Sequence, residues 1–317
     1  MARIYLGVDG GQSSTTALIG DDSGRVLGMG RGGPCNHVEG PGGREKFLNA
    51  IGGCVSGAVG QAGLPSNHRV FHAASMGFSG GPADKLALIR ELYEIGKLDV
   101  TTDALIALTG ATAGEPGIIV IAGTGSIAYG RNATGQTARA GGWGYVFGDE
   151  GGGFDLTRQA LRAILRHEEG WGAPTALRDK LLSATGASNA NALLHNFYTT
   201  AFPRPQIASY SKLIDEAARE GDGIALELLK RAARELASLA AAVRRQLFNG
   251  HGVVPIATIG GVFKSEFLRE HFRALVELED GNRVQAPIHG PAAGALLEAY
   301  RLAGLPLTLH NAPIEKD

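Results

Sequence analysis

The sequence lacks the features that mark several other classes of protein. Its two cysteines, Cys35 and Cys54, are too few for a four-ligand zinc site or for an iron–sulfur cluster held by one subunit. Its formal net charge of -1 gives no electrostatic reason to expect binding to nucleic acid or to an anionic membrane. No apolar run approaches the roughly 20 residues of a membrane span, and the first residues do not resemble a signal peptide. We expect a cytoplasmic protein with reduced thiols and no nucleic-acid or membrane partner.

Glycine is the residue that the sequence has in excess, with 48 glycines among 317 residues. The glycines follow no collagen-like period and alternate with strongly apolar runs, a pattern typical of strands joined by tight turns. A chain of this length also exceeds the size at which one hydrophobic core usually keeps growing, so we expect two domains. Three glycine clusters stand out, DGGQSSTT at 9–16, AGTGSIAYG at 122–130 and GGWGYVFGDEGGG at 141–153.

The pattern in the first third of the chain predicts three strands, with a glycine turn between the first and the second, followed by alternating helices and strands. The same order begins again near Gly117, which suggests an internally duplicated fold. The predicted strands are 3–8, 16–19, 25–29, 70–76, 98–102, 117–121, 127–130, one after the turn at 132–135, and 255–259. The predicted helices are 43–62, 82–96, 154–165, 224–248 and 291–302.

The first two glycine clusters have the chemistry of phosphate-binding turns. Consecutive N–H groups freed of bulky side chains can point into one concavity and bind an anion, and neighbouring hydroxyl groups add donors to phosphate oxygens. Asp9, at the end of the first predicted strand, would repel a bare phosphate but can hold Mg²⁺ through water. It can equally cap its own turn. Neither cluster matches a P-loop NTPase or a Rossmann dehydrogenase, and both classes are disfavoured.

Asp103 stands between the end of a predicted strand and an apolar segment at 104–108. One interpretation is the N-cap of a helix, for which aspartate is well suited. The other is catalytic, because a kinase needs a carboxylate that accepts the proton of the attacking hydroxyl and that is held by rigid elements opposite the phosphate-binding turns. By its position, Asp103 is the best candidate for that general base.

The motifs DGGQSSTT, TTDA, AGTGS, GGWGYVFGDEGGG and IGGVF, in this order along the chain, resemble those of the N-acetylglucosamine kinases. This family, with its BadF/BadG-type ATPase domain, is a branch of the superfamily of sugar kinases, actin and heat-shock-chaperone ATPases. DGG and GTGS recur across the superfamily, whereas CNH together with GGWG and GDEG is characteristic of amino-sugar kinases. The resemblance implies an α/β protein of two ribonuclease H-like, actin-like ATPase domains with a duplicated βββαβα core. We expect these domains at 1–113 and 114–317. The last helix of the second domain is free to pack back on the first domain.

The resemblance also implies that ATP and an amino sugar meet in a cleft between the domains, which closes on the substrates and excludes water. Asp103 matches the base that deprotonates the sugar 6-hydroxyl for attack on the γ-phosphate. The positions that match contacts to ATP are Gly10, Gly11, Ser13, Ser14, Gly123, Thr124, Gly125, Ser126, Gly260 and Gly261. The positions that match contacts to the sugar are Asn36, Asp103, Thr124, Trp143, Gly144 and Asp149.

The chain departs from the family pattern at Gln12-Ser13-Ser14, where many relatives carry Gly-Thr-Lys, so position 14 has no lysine to neutralise phosphate. Cys35 and Cys54 do not resemble the cluster ligands of related ATPases that activate radical enzymes, and no helix-turn-helix of a sugar-responsive repressor is predicted. We predict an ATP- and Mg²⁺-dependent kinase that forms N-acetylglucosamine 6-phosphate and assembles as a homodimer. Glucosamine and N-acetylmuramic acid are the alternative acceptors, and a non-kinase ATPase activator or sugar sensor is the alternative class.

Overall fold

The computed structural model describes residues 3–35, 38–80, 84–199, 202–250 and 252–313. These residues form two compact units, one from the residues up to Pro116 together with those from Pro287 onward, and the other from Gly117–Ala286. Each unit contains one five-stranded mixed sheet and several helices. The predicted α/β class is confirmed.

The first unit begins with three strands and continues with alternating helices and strands. Its elements are β1 (Ile4–Gly10), β2 (Thr15–Asp21), β3 (Val26–Gly32), α1 (Gly43–Gln61), β4 (Val70–Phe78), α2 (Leu86–Leu92), β5 (Glu94–Thr102) and α3 (Asp103–Ala111). The sheet order is β3-β2-β1-β4-β5, antiparallel from β3 to β1 and parallel from β1 to β5. The parallel half brings the carboxyl ends of β1, β4 and β5 to one edge, the edge at which open α/β sheets bind ligands.

The second unit repeats this topology and adds helices between its third and fourth strands. Its elements are β6 (Gly117–Ala122), β7 (Ser126–Arg131), β8 (Thr137–Gly141), α4 (Gly153–Glu168), α5 (Leu177–Thr185), α6 (Ala190–Tyr198), α7 (Arg204–Ser209), α8 (Ser211–Arg219), α9 (Gly223–Leu247), β9 (Val254–Ile259), a 3₁₀ turn (Gly261–Lys264), α10 (Glu266–Val276) and β10 (Asn282–Gln285). The sheet order is β8-β7-β6-β9-β10, with the same pattern of strand directions. β6 and β9 therefore correspond to β1 and β4, and the predicted duplication is confirmed.

The last helix, α11 (Pro291–Ala303), packs on the sheet of the first unit. Its close approach depends on glycine, because a Cβ on Gly7 of β1 would overlap the backbone of Leu296, and one on Gly294 would overlap the carbonyl of Ile106 in α3. Leu296 and Tyr300 are fully buried against this face of the sheet. The opposite face is covered by α1 and α2. Residues at the end of the chain thus complete the core of the first unit.

Most predicted elements are confirmed to within a few residues, but the predicted helix 82–96 is wrong at its end. α2 stops at Leu92, and β5 begins at Glu94, four residues before the predicted strand. β5 is the outer strand of its sheet, and several of its first residues are exposed. An outer strand needs no continuous apolar run, so the polar segment EIGK did not read as a strand. Gly81, Pro82 and Ala83, at the predicted beginning of this helix, lie outside the described residues.

Both cysteines are buried and free. Burial raises the pKa of the Cys35 thiol and raises the pKa of the Cys54 thiol to about 12, so both thiols stay protonated and poorly nucleophilic at neutral pH. Within the described ranges, no three His, Cys, Asp or Glu side chains are grouped so as to hold a metal ion. None of the helices in the same ranges combines the length and apolar character needed to cross a membrane.

Asp99, in the middle of β5, gives a prediction about stability. Burial raises the pKa of the Asp99 carboxyl, and the charge of Glu298 acts in the same direction, against the Ser75 hydroxyl and Arg301. A carboxyl with a raised pKa in the folded state binds its proton more tightly there, so charged Asp99 destabilises the fold above that pKa, and the penalty fades as the pH falls through it. We expect Asp99→Asn to raise the melting temperature by on the order of 2 °C at neutral pH, with a smaller gain at mildly acidic pH. Thermal unfolding across this range checks the prediction, and a gain that does not depend on pH would contradict it.

Candidate active site

The turn between β1 and β2 lies at the carboxyl edge of the first sheet. The N–H of Gly11 donates to the carbonyl of Ser14 at 2.9 Å and closes the turn. Gly10 is buried, and a Cβ there would overlap the ring of Phe78. Ser13 and Ser14 are exposed. The turn therefore presents the two predicted hydroxyl residues to solvent, as binding of a phosphate requires.

Asp9 lies one residue before the end of β1. Its backbone pairs with Thr16 on one side and with Gly77 on the other, and the residue is half-buried. The rigid centre of the sheet thus places one carboxylate directly before the glycine turn. One carboxylate near serine hydroxyls suits a Mg²⁺ ion that arrives on a nucleotide and keeps several waters, and not an ion caged by protein ligands alone.

Asp103 is the first residue of α3, directly after β5. Its carboxylate accepts two hydrogen bonds, from the Ser79 hydroxyl to Oδ2 at 2.6 Å and from the N–H of Ala104 to Oδ1 at 2.9 Å. The N-cap of α3 is Thr102, whose hydroxyl oxygen accepts from the N–H of Leu105 at 3.4 Å. The N-cap interpretation of Asp103 is therefore wrong by one residue.

Ser79 is a residue at this edge that sequence reasoning missed. It follows β4, and its backbone N–H donates to the carbonyl of Gly10 at 3.1 Å. Through its backbone and its hydroxyl, Ser79 contacts both the end of β1 and the Asp103 carboxylate. Its only signal in the sequence is GFSGG at 77–81, a serine in a glycine turn after an apolar strand, which is too common a pattern to mark a site.

The second unit has its glycine turn in the corresponding position, between β6 and β7. The N–H of Gly123 donates to the carbonyl of Gly125 at 3.0 Å and closes the turn. α4 begins against this turn, because the N–H of Gly153 donates to the carbonyl of Gly123 at 2.8 Å and the N–H of Phe154 to that of Thr124 at 3.1 Å. The beginning of α4 therefore holds the predicted phosphate-binding backbone in place.

Asp149 packs against the same turn. It is 7% exposed and has a φ of +63°, unusual for a residue with a side chain. Its Oδ1 accepts a long hydrogen bond, 3.4 Å, from the N–H of Ser126, whose hydroxyl donates to the carbonyl of Glu150 at 2.6 Å. A Cβ on Gly125 would stand 2.5 Å from the Asp149 carboxylate. The structure thus brings the predicted ATP residues 123–126 into contact with the predicted sugar residue Asp149.

The loop that contains the predicted sugar residues Trp143 and Gly144 is exposed. The Trp143 side chain is 65% exposed, and the guanidinium of Arg139 lies 4.6 Å from its ring centre. Gly144 has a φ of +80°. Its carbonyl accepts a hydrogen bond from the N–H of Gly148 at 2.8 Å, and this bond closes a tight turn. The indole is therefore presented at the surface. Asn36, the remaining predicted sugar residue, lies outside the described residues.

A cavity of about 400 Å³ opens beside the second glycine turn, a volume in the range of small-molecule pockets. Gly123 and Thr124 line it together with Gly261, which follows β9. Gly260 has a φ of +104°, and a Cβ there would overlap the carbonyl of Ala122. Glycine at 260 thus allows the ends of β6 and β9 to come together. Of the predicted ATP residues in these two segments, Gly123, Thr124 and Gly261 line one cavity.

Charged side chains that the sequence motifs do not predict also line this cavity. The Asp215 carboxylate accepts the Ser265 hydroxyl at 2.5 Å and forms an ion pair of 2.7 Å with Arg219. Lys212 and Lys264 add two further cations to the lining, which suits a phosphorylated ligand. Lys212, Asp215 and Arg219 have the spacing of one face of α8, a pattern that in a sequence usually indicates a solvent-exposed face.

The described units together define a class of protein. Two sheets of the same strand order, each with a glycine turn after its first strand, form the duplicated fold of the actin-like ATPases. The chain belongs to the BadF/BadG/BcrA/BcrD ATPase family, whose model matches residues 6–299. The predicted family is confirmed.

The relatives that match most of the chain are named as sugar kinases. An N-acetylmuramic acid/N-acetylglucosamine kinase from Clostridium acetobutylicum is 33% identical over 282 residues, 87% of this chain and 91% of the relative. An N-acetyl-D-glucosamine kinase from Dictyostelium discoideum is 29% identical over 260 residues, 77% of this chain and 80% of the relative. The solved structure of a candidate N-acetylglucosamine kinase from Chromobacterium violaceum has a TM-score of 0.75 at 30% identity and covers 93% of this chain and 98% of its own. The predicted class of enzyme, a sugar kinase, is confirmed.

Proposed function

We propose that this protein is an ATP-dependent amino-sugar kinase that transfers the γ-phosphate to the 6-hydroxyl of N-acetylglucosamine, with Asp103 as the general base. The placement of Asp103 carries the proposal. Two hydrogen bonds hold its carboxylate at the carboxyl edge of the sheet that also ends in the first glycine turn. A general base needs such a rigid position, because proton transfer depends on short, aligned contacts. A homodimer and a cytoplasmic location stay predictions.

The chemistry of transfer assigns a separate task to each group. The Asp103 carboxylate takes the proton of the sugar hydroxyl as its oxygen attacks the γ-phosphorus, and the bond from that phosphorus to ADP breaks. Oδ1 and Oδ2 each accept one hydrogen bond in the structure, and each oxygen keeps capacity to accept another. Backbone N–H groups of the glycine turns and the hydroxyls of Ser13, Ser14 and Thr124 stabilise the negative charge on the phosphoryl oxygens.

ATP is assigned to the two glycine turns and to the cavity beside the second. The nucleoside is assigned to the cavity near Gly261, and the phosphates are assigned to the backbone N–H groups of the glycine turns. Lys212 and Lys264, which line this cavity, supply positive charge to the bound nucleotide. Mg²⁺, which Asp9 would hold through water, neutralises charge on the phosphates when bound.

The amino sugar is assigned to Asn36, Asp103, Thr124, Trp143, Gly144 and Asp149. Asp149 offers carboxylate oxygens to ring hydroxyls. Because Asp149 is almost completely buried, a ligand that lacks the matching hydroxyl leaves the carboxylate without a hydrogen-bond partner and binds with less favourable free energy. Such a site rejects analogues that lack the hydroxyl by large factors. The acetamido group is assigned to the loop with Trp143. The names of the relatives support N-acetylglucosamine as the acceptor, and N-acetylmuramic acid and glucosamine stay the alternatives.

Release of ADP in a coupled assay with Mg-ATP tests this function. N-acetylglucosamine, N-acetylmuramic acid, glucosamine, N-acetylmannosamine and glucose are compared in parallel with a control without sugar. We expect the highest kcat/KM for N-acetylglucosamine, with the product phosphorylated at the 6-position by NMR. A preference for another amino sugar would replace the acceptor and keep the enzyme class. ADP release that is equal with and without sugar would favour the ATPase activator or sugar sensor.

A further inference from the structure

Ser79 lies between the two functional features of the first sheet. β4 is the strand between β1 and β5, and its last residue, Phe78, pairs with Gly10 on one side and with Thr102 on the other. Ser79 is therefore level with the glycine turn after β1 and with the first residue of α3. Its backbone N–H donates to Gly10 at 3.1 Å, and its hydroxyl donates to Oδ2 of Asp103 at 2.6 Å.

The Ser79 hydroxyl orients the Asp103 carboxylate. The terminal torsion of an aspartate is broad and two-fold, so the carboxylate can rotate unless both of its oxygens are held. The Ser79 hydroxyl donates to Oδ2 and the Ala104 N–H donates to Oδ1, and together they hold the plane of the carboxylate.

The same two strands contain a second serine and aspartate in the same register. Ser75 of β4 pairs with Asp99 of β5, and its hydroxyl donates to Oδ2 of Asp99 at 3.4 Å. Ser75 is fully buried within the sheet, whereas Ser79 is half-buried beyond the end of β4. The two pairs differ in their distance from the carboxyl edge and in the length of the hydrogen bond. Ser75 is therefore a matched control for Ser79.

We propose that Ser79 is a positioning residue for proton transfer, whose hydroxyl holds the Asp103 carboxylate in the orientation that accepts the proton of the sugar hydroxyl. This inference rests on the proposed function, because it requires Asp103 as the base. Ser79 acts through Asp103, so its loss changes the rate of the chemical step and leaves the binding of ATP and of sugar largely as they are.

Ser79→Ala removes the donor and tests the inference. We expect kcat to fall by about 10-fold, as the loss of a hydrogen bond to a charged group allows, while both KM values change by less than about twofold. Ser79→Thr keeps the donor and restores most of kcat. Ser75→Ala leaves kcat and both KM values unchanged.

A graded series keeps the test informative if Ser79→Ala is less stable. Ser79→Cys keeps a weaker donor, so kcat follows the order Ser, Thr, Cys, Ala if hydrogen bonding to Asp103 is the cause. A series in which kcat follows the melting temperature, and not the strength of the hydrogen-bond donor at position 79, would overturn the inference. If Asp103→Asn abolishes turnover and Ser79→Ala does not change it, only the role of Ser79 is wrong. If Asp103→Asn retains turnover, the proposed base is wrong, and the role of Ser79 falls with it.

Discussion

Asparagine in place of Asp103 is expected to lower kcat by at least about 10²-fold, the usual range for the loss of a general base. The amide has nearly the same shape as the carboxylate. Its oxygen can accept from the Ala104 N–H while its NH2 group donates to the Ser79 hydroxyl oxygen, so the fold is retained. It cannot take the proton of the sugar hydroxyl, and the chemical step slows for that reason. Steady-state kinetics with Mg-ATP and N-acetylglucosamine measure the effect, and we expect the KM of ATP to change little.

Asp99→Asn is the matched control for this variant. Both aspartates belong to the segment of β5 and the beginning of α3, both accept a serine hydroxyl from β4 or the residue after it, and both changes remove one negative charge. Only Asp103 stands at the carboxyl edge. We expect Asp99→Asn to keep the kcat of the unaltered protein. A turnover of Asp103→Asn above about one tenth of that value would show that another group is the base.

Alanine in place of Gly125 is expected to lower kcat/KM for the sugar by about 10- to 100-fold. The added Cβ would stand 2.5 Å from the buried Asp149 carboxylate, so either the carboxylate or the glycine turn must shift. Overpacking of this kind costs roughly 1–3 kcal/mol of stability, and a displacement of about 1 Å in a site can cost 10²-fold in rate. Kinetics and thermal unfolding of the same preparation measure both effects.

Two further variants test whether the contact with Asp149 causes the effect of Gly125→Ala. Gly223→Ala makes the same chemical change in the same unit, at the beginning of α9, where nothing lies within 4 Å of the added Cβ, and it should leave activity and stability nearly unchanged. Asp149→Ala removes the group that the new Cβ meets. In that background, Gly125→Ala should lose most of its cost in melting temperature, as expected for two residues in direct contact. Equal costs in both backgrounds would show that the Asp149 contact is not the cause.

Much of the fold follows from local pattern. Apolar runs that end in glycine mark β1, β6 and β9, and the helix α9 was predicted to within one residue at each end. Such elements can be predicted from sequence because an apolar run and the turn residues that end it lie within a few positions of each other. β5 was misread at its beginning, and the four helices α5 to α8 were not predicted. Their positions depend on packing against residues far away in the chain.

Some residues of the candidate site were likewise predicted from local pattern, and others were found only in the structure. The glycine turns were predicted because glycine clusters with hydroxyls are continuous in sequence. Ser79 was missed because its contact to Asp103 joins residues 24 positions apart through the register of β4 with β5. Thr102, and not Asp103, caps α3 because the strand continues to that residue. Lys212 and Arg219 line the cavity because α8 packs beside the second glycine turn.

The sequence by itself determined the family, the duplicated α/β class and the glycine turns, since each of these depends on residues that are neighbours in the chain. Tertiary structure alone decided that Ser79 donates to Asp103 and that the cations of α8 face the same cavity as Gly123 and Gly261. The physical reason is that these contacts arise from strand register and from close packing over glycine, which bring together residues with no local pattern in common.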